Sequence, residues 1–61
     1  MTELVILYCI VEVRLGENKF QFTGVGSSVE DAHGRAIRKM REDEYLKCVH
    51  YRIKATHFGI M

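Results

Sequence analysis

Apolar and polar residues change rhythm along this chain, and each rhythm predicts an element. Residues 4–15, LVILYCIVEVRL, are rich in β-branched and aromatic side chains, and their second half alternates as Val11, Glu12, Val13, Arg14, Leu15. That composition and period describe a strand. Its odd positions (Val5, Leu7, Cys9, Val11, Val13, Leu15) form the inward row. Gly16-Glu17-Asn18 is a turn signal, and residues 19–25, KFQFTGV, alternate again with Phe20 and Phe22 on one side. Residues 4–25 therefore read as a β-hairpin.

After Gly24 and Gly26 the period lengthens. Ser27-Ser28-Val29-Glu30 reads as a capping box, with the Ser27 hydroxyl accepting from the Glu30 amide. Val29, Ala32, Ala36, Ile37 and Met40 then recur at helical spacing and make one apolar stripe. Gly34 inside this helix marks either close backbone approach or simple tolerance, at a cost of about 1 kcal/mol against alanine. Glu42-Asp43-Glu44 oppose the helix dipole, so fraying is expected there. Residues 45–57 return to alternation. Val49, Tyr51, Ile53 and Ala55 fall on one face; Cys48, His50, Arg52, Lys54 and Thr56 fall on the other. This is a third strand, followed by a short tail.

The expected fold is α+β, a β-β-α-β domain spanning residues 1–61. The first strand is the longest and most apolar, so it takes the centre of a three-stranded antiparallel sheet of order 2-1-3. One helix covers one face. The other face is left open, and the even positions of the first strand point to it: Leu4, Ile6, Tyr8 and Ile10. A one-sided antiparallel sheet normally carries polar residues there. A contiguous apolar stripe implies a partner, either foreign or a second copy, or else cover by the chain's own tail. His50, Arg52 and Lys54 are expected beside it.

Length and charge narrow the field. Sixty-one residues with nine Lys plus Arg and eight Asp plus Glu give a formal charge of +1. So small a domain holds a small core and thin stability. Bulk attraction to nucleic acid or acidic membranes is not expected from a near-neutral chain. Segment 45–58 is the exception, with Lys47, Arg52 and Lys54 and no acid. A nucleic-acid contact through this basic third strand is an alternative to protein binding.

Two cysteines, Cys9 and Cys48, fit free thiols in a reducing, cytoplasmic setting better than a disulfide framework. Leu4–Val11 is too short to cross a membrane. Glu3 ahead of that run and the absence of a small-residue cleavage site after it argue against a signal peptide. Cys9, Cys48, His33, His50 and His57 lack metal-ligand spacing, so no metal or other cofactor is expected. Cys48 and His50, two residues apart on one face, lack a third orienting group. Gly24-x-Gly26-Ser27 is a turn and cap rather than a phosphate-binding loop. No catalytic residue emerges, and the chain reads as a non-catalytic binder.

The hairpin strand KFQFTGV, the helix segment SSVEDAHGRAIRKM and the closing strand CVHYRIKATHF together resemble, in layout, small phage-encoded proteins that inhibit host machinery, of the RNA polymerase inhibitor and anti-CRISPR types. The resemblance covers most of the chain. It implies a viral protein that occludes a host protein complex. The polymerase-inhibitor type carries an acidic character that this chain lacks, and no inhibitory residue is carried over.

Overall fold

A computed structural model describes residues 4–61; Glu3 lies outside the described residues. Strands β1 (Leu7–Leu15) and β2 (Asn18–Gly26) are followed by helix α1 (Val29–Glu42), a single 3-10 turn (Leu46–Cys48) and strand β3 (Ile53–Ile60). The sheet is antiparallel throughout, with β1 between β2 and β3. This is the expected α+β fold, β-β-α-β in order 2-1-3.

The hairpin closes through two residues rather than three. Leu15 pairs with Asn18, and Gly16 takes φ +63°, which glycine adopts without a Cβ penalty. Register then runs unbroken from Leu15–Asn18 to Leu7–Gly26. Partners in an antiparallel pair share a face. Cys9 and Val11 therefore lie on the helix side with Gly24 and Phe22. Tyr8 and Ile10 lie on the open side with Val25 and Thr23.

The helix starts one residue later than expected. Ser28, not Ser27, is the N-cap, and its Oγ accepts from the Asp31 amide at 3.1 Å. Glu30 and Asp31 occupy the first turn, and Lys39 and Arg41 the last, matching the dipole at both ends. Ala32, Ala36 and Met40 are buried against Cys9, Val11, Val13 and Leu46; Phe20, Phe22, Ile37, Val49 and Tyr51 pack around them. Small residues on the helix let it approach the sheet closely. A Cβ at Gly24 would land on the Ala32 carbonyl oxygen and the Ala36 nitrogen, so the strand needs glycine there. Gly34 has open space around its Cβ position and marks no contact.

The third strand is where structure and expectation part most. Residues 45–52 are not strand. The Asp43 carboxylate accepts from both the Tyr45 and the Leu46 amides at 3.0 Å, which starts the 3-10 turn and sends Leu46 into the core. Asp43 thus caps the next turn instead of merely opposing the helix dipole. Val49 and Tyr51 do turn inward, but without a ladder. Pairing begins at Ile53 opposite Val13, and a one-residue bulge follows, since Glu12 pairs with Ala55 and leaves Lys54 unopposed.

A single extra residue reverses which face every later side chain occupies. Thr56, Phe58 and Ile60 therefore lie on the helix side, opposite Val11, Cys9 and Leu7. Ala55 and His57 lie on the open side. The expected faces of Ala55 and Thr56 are exchanged for this reason. The closing residues do not fold over the open face. They extend β3, and the Met61 amide donates to the Ile6 carbonyl at 2.9 Å.

Candidate protein-binding surface

The structure divides the seven expected contact residues into two groups that follow one another along the sheet. Tyr8 and Ile10 stand on the open face of β1, both half-buried. Ile6 continues the same row beyond the strand and is 41% exposed; Leu4 is 84% exposed. His50 and Arg52 sit instead in the extended connection before β3, and Lys54 is the bulge residue. They line a shallow concavity with Arg14, Leu15, Tyr51 and Ile53, toward the hairpin end. At about 3.3 Å per strand residue, Arg14 lies about 13 Å along β1 from Ile10, the last member of the stripe. The cations therefore gather beyond the hairpin-side end of the stripe, with Lys54 nearest to Ile10, rather than along its length.

Between the two groups lies a feature that alternation alone concealed. Glu12 is on the open face yet only 9% exposed. Its carboxylate meets Lys19 Nζ at 3.4 Å and Arg14 Nε at 3.9 Å. Two cations beside a nearly buried carboxylate offset its desolvation. The open face is thus apolar from Leu4 to Ile10 and ionic from Glu12 onward.

The apolar end is larger than the sequence pattern indicates. The helix lies over β2 and β1 and leaves the helix-side face of β3 largely uncovered. Phe58 is 48% exposed and meets the helix in a tilted ring contact with His33, centroids 6.2 Å apart. Ile60 is 72% exposed, and Val5, Val29 and Met61 are exposed as well. On the opposite side the Tyr8 ring lies across Gly59, occupying the place a Cβ would take. The end formed by residues 4–8 and 58–61 therefore shows apolar side chains on both faces. Phe58 and Ile60 were missed because their faces depend on the bulge at Lys54, which no periodicity announces.

The thiols offer no paired chemistry. Cys9 is fully buried, and that burial pushes its thiol pKa up, holding it neutral. Cys48 is exposed and donates to the Glu44 carbonyl at 3.7 Å rather than to His50. Among the described residues no three His, Cys, Asp or Glu side chains gather closely enough to hold a metal ion. No helix in the described residues is long and apolar enough to cross a membrane. No protein-family model, curated protein or solved structure matches the chain.

Proposed function

We propose that this chain is a small non-catalytic protein-binding module that acts by occlusion, as the resemblance to phage-encoded inhibitors implies. Its contact surface is the apolar end of the sheet, with Leu4, Ile6, Tyr8 and Ile10 as anchors. The supporting observation is the cluster of exposed apolar side chains at that end, Leu4, Val5, Ile6, Phe58, Ile60 and Met61, the most exposed of them at 72 to 84%. Exposed apolar patches of this kind mark interaction sites, and affinity concentrates in their few large side chains. The cationic group toward the hairpin supplies orientation toward an acidic partner rather than affinity.

The test is an affinity pulldown from cell lysate, read by mass spectrometry, with the wild-type chain and an Ile6→Lys/Ile10→Lys variant side by side. The reading expects a defined partner with the first and its loss with the second. Equal recovery by both would remove it.

A second reading is favoured by the acid-free concavity. Arg14, His50, Arg52 and Lys54 line it together with Tyr51, and His50, Arg52 and Lys54 make no salt bridge with another described residue. Such a group suits the phosphates of a nucleic-acid backbone. Binding of a labelled single-stranded oligonucleotide that weakens with salt, and weakens further in Arg52→Glu, supports it; a flat salt titration rejects it.

A further inference from the structure

We infer that the occupant of the β3 edge is a second copy of this chain, and that two copies join β3 to β3 in one six-stranded sheet. The inference rests on the reading of the apolar end as a protein-binding surface: the second copy takes the β3 edge with Phe58 and Ile60, and Leu4, Ile6, Tyr8 and Ile10 on the opposite face stay available to a foreign protein.

Hydrogen-bond phase shows which groups the edge offers. Met61 donates to Ile6, so Gly59, His57 and Ala55 bond to Tyr8, Ile10 and Glu12 in the same phase. Thr56, Phe58 and Ile60 then direct their amides and carbonyls outward, away from β1. These same three residues carry the side chains left uncovered on the helix side. Backbone donors thus point in the plane of the sheet to the open edge, and the uncovered side chains stand on the helix side beside it.

The sheet's two edges are guarded unequally. β2 is overlain by α1, and Lys19 and Gln21 stand on its outer register. β3 has its one lysine, Lys54, at the bulge, and from Ala55 to Met61 it carries no lysine, arginine, aspartate or glutamate. Bulges and lysines are the usual blocks to strand addition, and here both lie at one end of the strand. An antiparallel pairing about a two-fold axis through Phe58 sets it against the partner's Phe58 and places Thr56 opposite the partner's Ile60. Lys54 then falls outside the ladder, so no like charges oppose each other. An edge free of fixed charge suits a copy of itself; a strongly charged partner would find no counterpart there.

Chirality and cover agree with this pairing. The two-fold axis stands perpendicular to the sheet, so both helices lie on one face. Each helix stops short of β3 and leaves a trough between them. Phe58 and Ile60 from both copies fill the trough, and every outward amide on the edge gains a partner.

Sedimentation equilibrium of the purified full chain, from low micromolar to millimolar, tests the inference. A twofold rise in sedimenting mass is expected. Thr56→Pro should weaken association by tenfold or more while leaving the far-ultraviolet circular dichroism unchanged, because its amide faces outward and bonds to no other described residue. Phe58→Lys provides the same reading without a backbone change. A wild-type chain that stays monomeric at millimolar concentration overturns the inference, as does a dimer that both variants retain. Binding of 8-anilinonaphthalene-1-sulfonate separates this failure from that of the underlying reading. A monomer that binds the dye, and loses it with Ile6→Lys/Ile10→Lys, leaves the apolar end open to a foreign protein. A monomer that binds none removes both.

Discussion

The two ends of this small sheet are built to opposite rules. Toward the helix and hairpin, Cys9, Val11, Val13, Ala32, Ala36, Met40 and Leu46 close into a dry core, and Gly24 lets helix and strand backbones meet. Toward residues 4–8 and 58–61, side chains of the same chemistry stand in water on both faces of the strands. Hydrophobicity alone does not distinguish Leu46 from Ile60; the position of the helix does. One helix of fourteen residues covers two strands and leaves the third for something else.

The contrast can be broken first at Gly24. Gly24→Val forces a side chain into backbone atoms of α1 that cannot swing aside, so a loss of about 3 kcal/mol or more is expected in urea unfolding. In so small a domain that leaves little folded protein. Next comes a matched pair measured at low micromolar concentration. Leu46→Ala should cost about 3 kcal/mol, because a buried side chain leaves a cavity. Ile60→Ala, at an exposed position, should stay within about 0.5 kcal/mol. Equal losses from the pair would mean that the apolar end is already covered in the monomer.

Smaller effects sharpen the helix side of the comparison. Ser28→Ala removes the oxygen that accepts from Asp31 and should cost about 1 kcal/mol, whereas Ser27→Ala should be near neutral. Gly34→Ala meets open space and should stabilise the fold by about 1 kcal/mol, read as a raised Tm. A loss at Gly34 would reveal a contact on the helix's outer face.

Periodicity made most of this fold legible, and it stopped at identifiable points. The long apolar first strand announced the centre of the sheet, and KFQFTGV announced its hairpin partner. The stripe Ala32, Ala36, Met40 announced the buried helix face. Alternation reports which way side chains face, not whether the backbone has a partner, so Val49 and Tyr51 looked like strand while lying outside any ladder. The 3-10 turn depends on one carboxylate accepting two amides, a local contact with no period. The bulge at Lys54 depends on the register against Glu12 and Val13, which is non-local. It alone moved Phe58 and Ile60 onto the helix side. Of the surface at the apolar end, Leu4, Ile6, Tyr8 and Ile10 were visible as a pattern; that the cations follow them toward the hairpin depends on the register of β3 against β1.

Residue-resolved amide exchange across a concentration series tests the central claim most directly. In dilute solution the amides of Ala55, His57 and Gly59 should be protected by β1, while those of Thr56, Phe58 and Ile60 exchange freely. At millimolar concentration the second set should gain protection and the first should change little. Protection of all six at every concentration, or free exchange of Thr56, Phe58 and Ile60 even in the most concentrated sample, would contradict the account.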